Sequence, residues 1–404
     1  MHSIRNIEMY KIYCRLFQTA FSFAAAVLPW RRPERLSGFE PLAGLLKEKN
    51  IKAALLVTDK GLTGLDLHKD LTQALEIAGI RLVLYDNTAQ NPNVANVEEA
   101  VTIYKNEKCA AIIALGGGSP MDCAKAVGAR IARPEKSVTK MRGVLKVLKK
   151  IPPLIAIPTT AGTGSETTLA AVITDGATHE KYAINDPSLI PPYAVMEPRL
   201  TAGLPPHLTA WTGMDALCHA VEAYIGRSNT RGTRRDALKA TELIFGNLCT
   251  AYTDGQNLEA RKNMLEASFL AGAAFTRAYV GNIHSIAHTL GGHYGVQHGL
   301  ANAVIMPYVL EAYGEKVYKR LSEMAAAADI ADNANDNKFN AEKFIASIRE
   351  MNAKMDIPDK IAELKEEDIP ALAKRALKES NPLYPVPVIF GQGEMERIYR
   401  KVLG

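Results

Sequence analysis

Ile112-Ile113-Ala114-Leu115 runs directly into Gly116-Gly117-Gly118-Ser119, and then into Pro120-Met121-Asp122-Cys123-Ala124-Lys125-Ala126-Val127. An apolar run, a glycine turn and a helical pattern in that order spell strand, tight turn and helix, with Pro120 near the first helical position where proline is favoured. Glycines let backbone N–H groups approach a pyrophosphate, and the start of a helix adds positive potential. The segment is not the G-x-G-x-x-G fingerprint, and alone it reads equally well as a plain connecting turn.

A second loop of the same kind shifts that balance. Pro153-Leu154-Ile155-Ala156-Ile157 ends in Pro158-Thr159-Thr160-Ala161-Gly162-Thr163-Gly164-Ser165-Glu166, whose hydroxyls and N–H groups suit phosphate, ribose or a nicotinamide amide. Two more apolar runs, Ala53 to Val57 and Arg81 to Tyr85, end at Thr58-Asp59 and Asp86-Asn87. Continuously apolar runs separated by helical stretches predict parallel strands covered on both faces, with ligands bound where strands end. Asp59 is placed to accept from ribose hydroxyls and to repel a 2′-phosphate, although a helix N-cap explains it as well.

After Leu204-Pro205-Pro206 the pattern becomes helical: Thr209 to Tyr224, Arg234 to Tyr252, Leu258 to Ala278, Asn282 to Leu290 and more beyond. The expected fold is an α/β N-terminal dinucleotide-binding domain with a parallel sheet, plus an all-α C-terminal metal-binding domain. The domains are 1–203, including an N-terminal extension 1–50, and 204–404. Within the extension, Leu16 to Leu28 is apolar but interrupted by Gln18, Thr19 and Ser22. It is too short to span a bilayer and poorly formed as a secretion signal, so it reads as a buried or partner-packed amphipathic helix.

The 404 residues carry 48 Lys plus Arg against 43 Asp plus Glu, and 47% are hydrophobic. That is globular composition, and a net charge of +5 is too dilute to make nucleic acid the main partner. The basic stretch Arg130 to Lys150 has no interleaved aromatics and reads as a solvated helix or excursion. Five scattered cysteines without C-x-x-C spacing fit a reducing, cytoplasmic setting.

The strongest chemical signal lies in the helical half. Asp215 and His219 stand at i and i+4 on one helical face, and His284, His288, His293 and His298 follow in one short segment. Three imidazoles with one carboxylate suit Fe(II) or Zn(II) and disfavour Mg(II). Each histidine alone is better read as structural; the clustering reverses that. Spacing leaves the set open, with His284 and His288 the obvious helical pair and His293 or His298 completing it.

Together the Gly116 to Asp122 turn, the Pro158 to Glu166 loop, Asp215 to Tyr224 and His284 to Asn302 resemble the iron-containing (group III) alcohol dehydrogenases. That family is related in fold to dehydroquinate synthase and glycerol dehydrogenase. The resemblance covers about Ala53 through Pro307, with weaker similarity beyond. It implies metal ligation by Asp215, His219, His284 and His298, with His288 as a non-ligating residue beside the metal; an imidazole there suits a proton relay, and equally a partner that orients a ligand. It implies NAD(H), rather than NADP(H), contacting Asp59, Asn91, Gly117, Gly118, Ser119, Pro120, Met121, Asp122, Thr159, Thr160, Ala161, Gly162, Thr163, Val172 and Lys181. It further implies Fe(II), alternatively Zn(II), a small alcohol or aldehyde substrate, and a homodimer or larger homo-oligomer. Gln297 and Thr289 depart from prolines common in the family, and Asn282 and His293 are less usual choices.

The expected reaction is reversible hydride transfer between NAD(H) and a small primary alcohol or aldehyde. A Zn(II) polyol dehydrogenase or a dehydroquinate-synthase-like lyase shares the fold. A lyase acting on a phosphorylated sugar would want cations around the ligands, whereas Leu, Ala, Ile, Tyr and Phe275 flank them and favour a weakly charged substrate pocket. A silent nucleotide-binding protein would show a lost ligand, and all four are present. Neither nucleic acid nor a membrane is expected as a partner.

Overall fold

The computed structural model describes all residues except 1, 27, 29, 177–180 and 333, and within the N-terminal helix it leaves side chains 2–7, 21 and 24–26 undescribed. Val27, part of the apolar run of the extension, therefore lies outside the described residues. The chain forms two compact units, Pro29–Gly203 and Met1–Leu28 together with Leu204–Gly404.

The first unit is built on strands β1 (Glu34–Leu36), β2 (Ala53–Val57), β3 (Arg81–Tyr85), β4 (Ala111–Gly116), β5 (Gly143–Val144), β6 (Leu154–Pro158), β7 (Ala170–Thr174), β8 (Lys181–Asn185) and β9 (Tyr193–Val195). Six of them form one sheet in the order β1-β9-β6-β4-β2-β3, every pair parallel. The apolar runs explain its centre. Leu55, Ile112 and Leu154 are in register and point into one core with the helices Val94–Asn106 and Gly118–Ala132. Their neighbours Leu56, Ile113 and Ile155 point into the other core with Phe39–Glu48 and Lys69–Ile77. Each of these fully buried side chains contributes about 1.5–3 kcal/mol of burial.

The remaining strands form a small sheet, β5-β8-β7. The basic stretch is part of this folded excursion. Asp186 accepts from the Val147 and Leu148 amides at 3.0 and 2.9 Å, and Lys136 donates to the Lys146 carbonyl at 2.9 Å.

The second unit is helical. Its main elements are Pro206–Ile225, Arg231–Thr253, Leu258–Ala278, Asn282–Tyr294, His298–Tyr313, Asn337–Lys354 and Ile369–Ser380. The N-terminal helix His2–Ala26 belongs to this unit, not to the nucleotide-binding domain to which sequence assigns it. The cause is specific: Cys14 is fully buried against Val386 and Ile389, and Gln18 donates to the Tyr384 carbonyl at 2.7 Å. Among the described residues no helix is long and apolar enough to cross a membrane.

Candidate active site

The two glycine loops leave adjacent strands β4 and β6, so they lie side by side. The Thr159 amide donates to the Gly116 carbonyl at 3.1 Å. Gly116 has φ +150°, and a Cβ there would fall 2.5 Å from Pro120 Cγ, so only glycine makes this turn into the helix Gly118–Ala132. Gly117 stands at the N-cap, with Gly118, Ser119, Pro120, Met121 and Asp122 opening the helix; Ser119 donates to the Gln90 carbonyl, next to exposed Asn91. The strand, glycine turn and helix expected from the sequence are present here.

Beneath the loops lies a buried polar cluster that sequence reading missed. Asp122 accepts from Ser165 Oγ and from the Val172 amide, both at 3.1 Å. Lys125, fully buried, donates to Ser165 Oγ, Thr168 Oγ1 and the Ala170 carbonyl at 3.0, 2.7 and 2.9 Å. Burial pushes Asp122 up to about 6 and Glu166 up to about 7, and pulls Lys125 down to about 8. Thr159 and Ala161 are buried, and Thr160 and Thr163 are half-buried. Val172 and Lys181 lie on the antiparallel strands β7 and β8, where Lys181 faces Thr174. Asp59 caps the short helix Lys60–Gly64 by accepting from the Leu62 amide at 3.0 Å.

In the helical unit Asp215 and His219 project from Pro206–Ile225, both buried. His284, also buried, sits on Asn282–Tyr294, and His298 is the first residue of His298–Tyr313. Gln297, the departure from proline, caps that helix by accepting from the His298 amide at 3.1 Å. Gly299 lets its start press on Pro206–Ile225, since a Cβ there would lie 2.3 Å from the Trp211 carbonyl oxygen.

Asp215 Oδ1 consequently lies 3.4 Å from His298 Nε2 and 3.8 Å from His284 Nε2. His219 stacks on His284 with ring centroids 4.6 Å apart, and on Phe275 at 4.1 Å. The alternative that spacing left open, His293, instead meets Asp368 at 3.4 Å. The Asn302 amide nitrogen stands between the three donor atoms, donating to Asp215 Oδ1 at 2.7 Å and reaching His298 Nε2 and His284 Nε2 at 3.1 and 3.3 Å. Its own Oδ1 is buried without a hydrogen-bond partner. Lone pairs of one carboxylate and two imidazoles thus converge on a single polarised N–H centre, which is the donor arrangement a divalent cation needs.

His284 is held from behind. Glu222 Oε2 lies 2.6 Å from its Nδ1, and Glu222 Oε1 accepts from the Ile283 amide at 2.8 Å. Burial keeps the His284 ring neutral and pushes the nearby Cys218 thiol well above its usual range. Cys218, Glu222 and the Nδ1 side of His284 therefore form a hydrogen-bonding set behind the ligand. His288 stacks on His298 at 5.2 Å, and its Nδ1 is 2.5 Å from Glu379 Oε1. Burial acts to lower its pKa, but Glu379 together with Asp215 and Glu222 outweighs this and the net direction is upward. Thr289, where proline is common, donates to the Ile286 carbonyl and meets the Tyr399 hydroxyl. Glu222 and Asn302 were findable, three and four residues after proposed ligands on the same helices; Glu379 carried no such signal.

The fold is similar to that of a 1,3-propanediol oxidoreductase of known structure, with a TM-score of 0.89 and 34% identity over 93% of this chain and all of that one. A 1,3-propanediol dehydrogenase from Klebsiella pneumoniae is 39% identical over 360 residues, 87% of this chain and 91% of that protein. An NAD-dependent methanol dehydrogenase from Bacillus methanolicus is 38% identical over 349 residues, 83% of this chain and 90% of that protein. Residues 38–198 match the model of iron-containing alcohol dehydrogenase, and residues 209–403 match the C-terminal model of that family. The chain belongs to the iron-containing alcohol dehydrogenase family, and is an oxidoreductase acting on CH–OH groups.

Proposed function

We propose that this enzyme interconverts a small primary alcohol and its aldehyde with NAD(H), using Fe(II), or alternatively Zn(II), held by Asp215, His219, His284 and His298. The observation that carries the reading is the convergence of Asp215 Oδ1, His284 Nε2 and His298 Nε2 on one point. When bound, the ion supplies Lewis acidity to the substrate oxygen and lowers the alcohol's pKa. Because Nδ1 of His288 is committed to Glu379, its Nε2 is left to take the alcohol's proton and pass it outward, or to return one during aldehyde reduction. Phe275, stacked on His219, gives the pocket an apolar wall suited to a short, weakly charged substrate.

The nicotinamide cofactor rests, in this reading, on the Gly117 to Asp122 helix start and the Thr159 to Thr163 loop, with Asn91, Val172 and Lys181 beside them. Asp59 favours a free 2′-hydroxyl over a 2′-phosphate. A cytoplasmic location is supported by five cysteines without a disulfide among them. A homodimer or larger assembly is supported by the exposed apolar side chains of the N-terminal helix, including Tyr10, Tyr13, Leu16 and Phe23.

The test is anaerobic NADH consumption with a panel of short aldehydes, using metal-stripped protein reconstituted separately with Fe(II) and Zn(II). Turnover restored by metal is the expected result, and the ranking of metals and aldehydes then identifies the working pair. Metal uptake and NADH binding without turnover would move the assignment to lyase chemistry or to silent binding.

A further inference from the structure

His2–Ala26 lies outside both family matches, which begin at residues 38 and 209, yet its side chains reach toward the proposed relay. Arg15 donates through Nη1 to the Val386 carbonyl at 2.6 Å and through Nη2 to the Pro387 carbonyl at 2.8 Å. The same guanidinium holds Gln18 Oε1 at 2.8 Å, and Gln18, buried, donates to the Tyr384 carbonyl at 2.7 Å. Three carbonyls of one loop, at 384, 386 and 387, are therefore taken by two side chains of the extension. The Pro385 carbonyl between them accepts from the Arg227 amide at 2.8 Å.

That loop carries Tyr384, whose hydroxyl donates to Glu379 Oε1 at 2.8 Å, and the same oxygen faces His288 Nδ1 at 2.5 Å. A line of contacts runs from Gln18 to the Tyr384 carbonyl, through the covalent frame of Tyr384 to its hydroxyl, and on by hydrogen bonds to Glu379 and His288. We propose that the N-terminal helix is a positioning element for the reaction, with Arg15 and Gln18 fixing the 384–387 loop so that Tyr384 and Glu379 hold the His288 ring in its working orientation. Arg15 and Gln18 touch none of the reacting groups; they act through Tyr384. The proposal rests on the assignment of His288 as proton relay. A loop held at four successive backbone carbonyls has little freedom, and small displacements of a proton-transfer group are costly in rate.

The experiment uses full-length, metal-loaded enzyme with Arg15→Ala/Gln18→Ala, Tyr384→Phe and the combination of all three. Amide exchange over residues 381–390, and carbon-2 exchange of the His288 imidazole, are expected to quicken about tenfold in Arg15→Ala/Gln18→Ala. Metal content and NADH affinity stay at wild-type values, and kcat falls about three- to tenfold with KM little changed. The combined variant is expected to lose much less than the product of the separate losses, because both act on one line of contacts. Unchanged exchange at both places, or fully multiplicative losses in kcat, overturns the proposal. Wild-type enzyme inactive with either metal would instead refute the dehydrogenase assignment, and the exchange measurements, which need no turnover, would still decide whether the helix holds the loop and His288.

Discussion

The two ring nitrogens of His284 are committed to different partners. Nδ1 faces Glu222 at 2.6 Å, so Nε2 is left with its lone pair toward Asp215 and Asn302. A carboxylate behind a ligating imidazole fixes tautomer and orientation together. In Glu222→Gln the amide oxygen can still accept from Nδ1–H, but the amide nitrogen then opposes the Ile283 N–H. Metal affinity is expected to fall about 10- to 100-fold, read by competition with a chromogenic chelator, with helix content unchanged. Equal affinities would mean that Glu222 serves packing alone. The ligand assignment itself is separable from the relay assignment. His298→Ala is expected to lose the metal, whereas His288→Ala keeps it and loses about 10²- to 10⁴-fold in turnover, measured as metal content and kcat side by side. Loss of metal in His288→Ala would sink the ligand set. That Asp215 and His219 share one helix was legible, because i, i+4 spacing is a geometric statement. The choice between His293 and His298 was not, since it depends on where a second helix starts.

At the level of elements, two glycines set where helices begin, and they serve different chemistry. Gly116 makes the strand-to-helix turn at φ +150°, and Gly299 lets the His298 helix approach the Trp211 carbonyl. An added methyl at either site forces a shift costing about 1–3 kcal/mol. Gly116→Ala is expected to weaken NADH binding about tenfold or more while metal content holds, and Gly299→Ala to reduce metal content while NADH binding holds. Fluorescence titration with NADH and metal analysis of both variants separate the two; a variant that loses both functions would mean general unfolding. Strands β2, β4 and β6 were readable because burial on both faces makes every residue apolar. The strands β1, β5 and β9 were not, being two or three residues long and made by pairing rather than by pattern. On β8, polar Lys181 and Asn185 at either end obscure the buried Tyr182 and Ile184.

For the whole molecule, sequence reading failed where contacts join distant parts of the chain. Gln18 and Tyr384 are 366 residues apart, and no local pattern announces such a bond, so residues 1–28 of the extension group with the helical unit, while the rest of it, to residue 50, stays with the sheet as expected. The buried charges under the glycine loops are a similar case, and, together with Glu222, which burial also raises to about 7, they make stability depend on pH. Glu166 is pushed by burial from 4.5 to about 7, so the unfolded chain loses its proton first as pH rises. Its contribution to stability is full below pH 4.5 and is lost as pH climbs through about 7, a change of about 3 kcal/mol. Asp122 acts in the same direction but is finished near pH 6, while Lys125 stays protonated in both states until about pH 8. Between pH 5 and pH 8 Glu166 therefore contributes strongly to the slope. Glutamine at 166 resembles the protonated acid and does not titrate. Urea unfolding of wild type and Glu166→Gln at the two pH values should show the variant gaining about 2 kcal/mol on wild type between pH 5 and pH 8. Parallel behaviour would mean that Lys125 or solvent compensates the Glu166 charge fully, and that the polar cluster holds the two loops together without any cost at neutral pH.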